Sequence, residues 1–66
     1  MMKLFVWDDV LIDYSSGIMI AIAPNVDEAR TAILKECSYV PEEDLAQTPQ
    51  EFDLSEPHAF VIWGSS

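Results

Sequence analysis

A complete helix-start signal after Pro24 constrains the fold of this chain more than any other feature. The Asn25 side chain can accept hydrogen bonds from amides of the first helical turn, and Glu28 follows three residues later, as in a capping box. Apolar residues then recur at the spacing of one helix face: Val26, Ala29, Ile33 and Cys37. Pro41 disfavours helical geometry in the residue before it, so we expect the helix to end near Ser38.

Three segments are rich in β-branched and aromatic residues, two before this helix in the sequence and one after it. They predict strands over 3–7, 18–23 and 59–63. In the second of them, large side chains alternate with smaller ones, so its two faces are Ile18, Ile20 and Ile22 against Met19, Ala21 and Ala23. Pro41 and the acids that follow it predict a short helical turn over 41–47. The acidic segment 50–57 is expected to be extended or looped.

The order of these elements predicts one α+β domain over residues 1–66. A hairpin of the first two strands and a right-handed return through the helix place the last strand beside the first. The result is a three-stranded antiparallel sheet of order 2-1-3, with one main helix packed on one face and a short second helical turn. All three strands are apolar on both faces. The segments 8–16 and 42–57, or a second subunit, must therefore cover the other face, so the chain is expected to be a monomer or a homodimer.

The chain carries 12 acidic residues against 3 basic ones, for a formal net charge of −9. This excess opposes contact with nucleic-acid phosphates or an anionic membrane, so we expect direct binding to neither. Its longest apolar run is far shorter than the ~20 residues of a membrane span. The single cysteine excludes an internal disulfide and favours a cytoplasmic location.

Few residues suggest catalysis or metal binding. Cys37 lies on the predicted helix stripe, as a small core residue would, and His58 has no evident partner for acid–base chemistry. The spacing of Asp8, Asp9 and Asp13 fits no known calcium loop. We therefore expect no enzymatic activity, cofactor or metal site, with a small metal-binding protein as a minor alternative.

The acids that helix capping does not explain form two groups, one after the first strand and one in the segment 42–56, which lacks Lys and Arg. They predict a partner-binding face that consists of Asp8, Asp9, Asp13, Tyr14, Glu42, Glu43, Asp44, Glu51, Asp53 and Glu56. A rigid body with carboxylates on one face can occupy a basic groove in place of DNA, which presents one negative charge per ~1.7 Å of duplex axis. The candidate anchors for such a contact are Trp7, Tyr14 and Trp63.

The sequence MKLFVWDDVL at 2–11, DYSSG at 13–17 and EPHAFVIWG at 56–64 resembles a group of small acidic proteins of phages and mobile elements. Within this group it is similar to type I anti-CRISPR proteins, which inhibit a Cascade surveillance complex. The resemblance implies a DNA-mimic inhibitor that binds the PAM-reading Cas subunit and blocks target DNA binding in the cytoplasm of a bacterial host. The alternative is a regulatory or adaptor protein that acts through an apolar sheet face or a dimer interface.

Overall fold

The computed structural model describes residues 1–12 and 17–63. Its elements are, in chain order, β1 (Lys3–Val10), β2 (Gly17–Ala23), α1 (Val26–Glu36), α2 (Glu42–Leu45) and β3 (Gln50–Asp53). β1 is the central strand and pairs antiparallel with both neighbours, in the order β2-β1-β3. This confirms the predicted α+β fold with its sheet order, its main helix and its short second helix.

The third strand, however, is a different segment from the predicted one. Residues 59–63 lie outside the sheet, and β3 places Phe52 opposite Leu4 on β1. β3 is polar at three of its four positions, which is common in an edge strand because charged side chains there discourage pairing with another chain. The strand ends in a turn in which the Ser55 N–H donates to Oδ1 of Asp53 at 2.9 Å.

Helix α1 begins as the sequence predicts. Oδ1 of Asn25 accepts from the Glu28 N–H at 2.9 Å, and Nδ2 of Asn25 donates to Oε2 of Glu28 at 3.0 Å. The helix ends at Glu36, and Cys37 is an exposed, extended C-cap residue. The prediction that Cys37 is part of the core is therefore wrong. The helix ends one residue before Cys37, so Cys37 does not continue the apolar helix face that packs on the sheet.

Replacing the cap tests how much this local signal contributes. We expect Asn25→Ala to lower the free energy of unfolding by about 1 kcal/mol, because it leaves a first-turn amide without its acceptor. Asn25→Ser keeps an acceptor and should stay within about 0.5 kcal/mol of the parent chain. Urea denaturation followed by circular dichroism measures both, and equal losses for Ala and Ser would contradict a capping role.

The core lies between the sheet and the helices. α1 packs mainly on β2, where alanines on both elements allow close approach. On β1, the Phe5 and Trp7 rings lie 6.5 Å apart, and Nε1 of Trp7 donates to the Gln47 carbonyl oxygen at 2.8 Å. The core comprises Phe5, Trp7, Val10, Met19, Ala21, Ala23, Ala29, Ile33 and Leu45.

The opposite sheet face is covered unevenly. Val6 and Ile20 are direct partners across β1 and β2, yet Val6 is 1% exposed and Ile20 is 53% exposed. Phe52 lies on the same face, and its ring contacts those of His58 and Phe60 at centroid distances of 5.0 and 6.3 Å. On the β3 side, the C-terminal segment therefore covers this face of the sheet. The sequence analysis predicted residues 59–63 of this segment to be a strand instead.

None of the helices in residues 1–12 and 17–63 has the length and apolar character needed to cross a bilayer.

Candidate functional site

A β-bulge near the end of β1 exposes one of the predicted acids. Asp8 pairs with Ile18 and Val10 with Gly17, so Asp9 is an extra residue in the ladder. The φ angle of Asp9 is 55°, in the left-handed region that Asp enters more readily than most residues. Asp9 is exposed beside this end of the sheet, while Asp8 is half-buried.

The acid-rich α2 lies against the same end of β1. The Leu11 N–H donates to Oδ2 of Asp44 at 3.1 Å, a contact between residues 33 positions apart. Glu42 and Glu43 are exposed in the same helical turn as the half-buried Asp44. The contact thus places α2 at the bulged end of β1, and the acids that lie at this end are here termed the acidic end: Asp8, Asp9, Glu42, Glu43 and Asp44.

Buried contacts hold α2 in this position. Leu45 is part of the core, and its carbonyl oxygen accepts from Nε of Arg30 at 2.9 Å. Pro41, predicted as the first helical residue, is instead the N-cap, and its carbonyl oxygen accepts from the N–H groups of Asp44 and Leu45, both at 3.1 Å. The acidic end is therefore carried by a segment that the core fixes in place.

The remaining predicted acids lie elsewhere. Glu51 and Asp53 belong to β3, which pairs with the Lys3 end of β1, and Glu56 follows the next turn. Glu51 pairs with Phe5 and Asp53 with Lys3, and these partners precede Asp9 on β1 by four and six residues, or about 13 and 20 Å along the strand. Oε1 of Glu51 lies 2.6 Å from Nζ of Lys3, so part of the charge there is neutralised. The structure therefore divides the predicted acids between the acidic end and a second group on and after β3, and which of them contact a partner stays a prediction.

Local hydrogen bonds shift two ionisations at the Lys3 end. The pKa of Asp53 lies below its ordinary value of 3.8, mainly because the backbone N–H and the hydroxyl of Ser55 hydrogen-bond its carboxylate, with a smaller contribution from Lys3. The hydrogen bond and charge of Glu51 raise the pKa of Lys3 above 10.5. The stabilisation from Asp53 is present above its ordinary pKa and is lost as the pH falls through the lower folded value. The stabilisation from Lys3 is present below its ordinary pKa and is lost as the pH rises through the higher folded value.

Other candidates are placed as follows. Asp13 and Tyr14 lie outside the described residues. Trp7 is buried and cannot serve as an exposed anchor, whereas Trp63 is 87% exposed. Within residues 1–12 and 17–63, no cluster of His, Cys, Asp and Glu has an arrangement suited to a metal ion.

A second surface is apolar, and the sequence analysis, which offered an apolar sheet face or a dimer interface as its alternative, did not predict its location. A groove of about 620 Å³ runs beside β2, whose outer edge pairs with no strand of the described sheet. Its lining includes Ile20 from the strand and Ala32 from α1, and Glu36 is the one charged residue among the described residues that line it. The only sequence signal for it is that the seven residues of β2 carry no charge.

Comparison with protein-family models, with curated protein sequences and with solved structures finds no match to this chain. What the protein binds must therefore be inferred from its own surface. That surface offers two features of opposite character: the acidic end, and the apolar groove beside β2.

Proposed function

We propose that this protein is a non-enzymatic inhibitor that binds a basic, DNA-binding surface of another protein in place of DNA. The observation that carries the proposal is the Leu11–Asp44 hydrogen bond, because it groups acids from distant parts of the chain at one end of the sheet. Within the described part of the chain, no Lys or Arg forms an ion pair with Glu42 or Glu43. These exposed carboxylates are available to cations of a partner.

The charge density of the chain supports this proposal. A net charge of −9 over a longest dimension of 36 Å corresponds to one charge per about 4 Å. Duplex DNA carries one charge per ~1.7 Å of helix axis, so the linear charge density of the protein is somewhat under half that of the duplex. A groove lined with Lys and Arg would attract the protein for the same electrostatic reason that it attracts DNA.

The target that we propose is the PAM-reading subunit of a type I Cascade complex, in the cytoplasm of a bacterial host. The resemblance of the sequence to type I anti-CRISPR proteins supports this choice. A subunit that reads duplex DNA must present a basic surface, and blocking that surface would stop target binding before guide pairing begins. This mode of inhibition requires no cofactor and no chemical step.

The double variant Glu42→Lys, Glu43→Lys tests the acidic end. We expect it to require at least about tenfold more protein to inhibit target-DNA binding by a purified type I Cascade complex in a gel-shift assay, because attractive charge pairs become repulsive. Both side chains are exposed, so circular dichroism should show an intact fold. Inhibition by the parent chain should also weaken when NaCl is raised from about 0.05 to 0.3 M, since salt screens such contacts.

A matched single variant separates this surface from net charge. Glu43→Lys and Asp27→Lys change the charge equally, and both residues are exposed. Asp27, however, lies in the first turn of α1, four residues after Ala23, which pairs with Lys3 at the far end of the sheet. We expect Asp27→Lys to change inhibition less than about threefold, an effect of the order of a surface ion pair. Equal losses would reject the acidic end as the contact, and failure of the parent chain to inhibit any type I complex would reject the proposed target.

A further inference from the structure

The outer edge of β2, which pairs with no other strand among residues 1–12 and 17–63, lacks the features that usually prevent strand addition. Edge strands of natural proteins are commonly protected by charged residues, proline or a bulge. β2 has the sequence GIMIAIA, without charge or proline, and the bulge in its ladder with β1 lies on the β1 side. Its seven residues extend over about 23 Å, long enough to pair with a segment of similar length.

The groove beside this edge has room for side chains. α1 packs over β2 on the core face, and the short side chains of Ala32 and Cys37 line the groove. On the other face, Ile20 and Ile22 are about half exposed. A strand added to β2 would place alternate side chains under α1 and beside these isoleucines, because successive residues of a strand point to opposite faces.

We propose that the outer edge of β2 binds an extended segment of a partner protein, with alternating apolar and basic residues, by strand addition. Main-chain hydrogen bonds to β2 would supply affinity, and the groove would select the alternate side chains. Basic residues are favoured because the chain has a net charge of −9 and, among the described residues of the groove lining, the one charged side chain is that of Glu36.

A second copy of this chain fits the edge less well. It would bring a further net charge of −9, a value in which the three cationic side chains of the chain are already counted. Two of these are already engaged: Lys3 with Glu51, and Arg30 with the Leu45 carbonyl oxygen and with Asp27. The negative charge of the chain attracts a basic segment and repels a second copy. The edge would accept such a segment whether or not the target of the acidic end is a Cascade complex.

The first probe is a blocked nine-residue peptide of alternating valine and lysine, with a valine–glutamate peptide as its control. We expect the lysine peptide to bind with a dissociation constant below about 1 mM, and the glutamate peptide to show no binding in the same range. Binding should slow hydrogen exchange at alternate amides of β2, because every second N–H of an edge strand points away from its neighbour. Nuclear magnetic resonance of the labelled full chain measures both quantities.

A matched pair of variants locates the binding site. Ile20→Lys places a like charge in the groove, and Leu34→Lys makes the same kind of change on α1 outside the groove lining. The two residues are similarly exposed, at 53% and 43%, so both variants should fold. We expect Ile20→Lys to weaken peptide binding at least about tenfold, and Leu34→Lys to weaken it less than about threefold.

Several outcomes would overturn strand addition at β2. The first is failure of the lysine peptide to bind. The second is an equal effect of Ile20→Lys and Leu34→Lys on the dissociation constant of the peptide. The third is protection from hydrogen exchange that is confined to amides of the acidic end. Sedimentation equilibrium of the free chain adds another test, since a dimer that Ile20→Lys abolishes would assign the edge to a second copy. The peptide assay contains neither DNA nor Cascade, so its failure is distinguishable from failure of the acidic inhibitor.

Discussion

A Trp7→Ala variant is expected to be much less stable than the parent chain, with a far lower urea midpoint at 25 °C. Trp7 is 1% exposed, and its Nε1 donates to the Gln47 carbonyl oxygen at 2.8 Å. Truncation of a buried Trp costs about 3–5 kcal/mol. A chain of 66 residues is expected to have a total stability of only roughly 3–10 kcal/mol. Loss of this ring also removes a tie to the segment that follows α2, so the acidic end should lose its position with the core.

Two further variants separate the contributions of burial and hydrogen bonding. Trp7→Phe keeps most of the apolar ring and removes the donor, so we expect a loss of about 1–3 kcal/mol, between the parent chain and Trp7→Ala. Trp63→Ala makes the same truncation at a residue that is 87% exposed, and should change stability by less than about 0.5 kcal/mol. Urea denaturation followed by circular dichroism measures all three. Similar midpoints for Trp7→Ala and Trp63→Ala would contradict the placement of Trp7 in the core.

The elements that local sequence signals define were predicted well. The cap of α1 depends on Asn25 and Glu28, which are three residues apart, so the signal is contained within one helical turn. β1 and β2 are adjacent along the chain and rich in residues that favour strands. Their antiparallel pairing left only the position of the third strand to be decided, and the connection through α1 predicts the observed order.

The identity of the third strand could not be predicted in the same way. Residues 59–63 have the stronger strand composition, but the pairing of Phe52 with Leu4 decides which segment joins β1. Strand propensity depends on cross-strand packing and burial more than on the backbone of the isolated segment. An apolar segment can satisfy the same need for burial by packing on a sheet face, as Phe60 does against Phe52.

The candidate site shows the same division between local and distant information. The exposed acids of α2 were evident from the sequence, but their grouping with Asp9 depends on a bulge and on the Leu11–Asp44 contact. Neither feature has a local signature, since the bulge is defined by pairing with β2. The groove beside β2 is likewise a consequence of where α1 packs, which the spacing of apolar residues does not specify.

The sheet face opposite the core is covered at Val6 and open at Ile20, so we expect the same substitution at these two neighbours to have very different effects on stability. Val6→Asp is expected to abolish folding, because a charge at a residue that is 1% exposed loses its hydration without gaining a partner, at a cost of several kcal/mol. Ile20→Asp changes the direct cross-strand partner on the same face, but that residue is 53% exposed. Its charge stays hydrated, and we expect a loss of about 1 kcal/mol from the lower strand propensity of Asp.

Circular dichroism and urea denaturation of the two variants measure this difference directly, because sheet, face and introduced side chain are the same in both. If both variants unfold, Ile20 must be covered in solution, as in a dimer through this face. If both fold with similar midpoints, the C-terminal segment does not cover Val6. Phe60→Ala distinguishes the source of the cover, since loosening its contact with Phe52 should destabilise the parent chain and expose the Val6 side of the face. The expected asymmetry would show that this chain covers the β3 half of its second face with its own C-terminal segment and leaves the β2 half open for a partner.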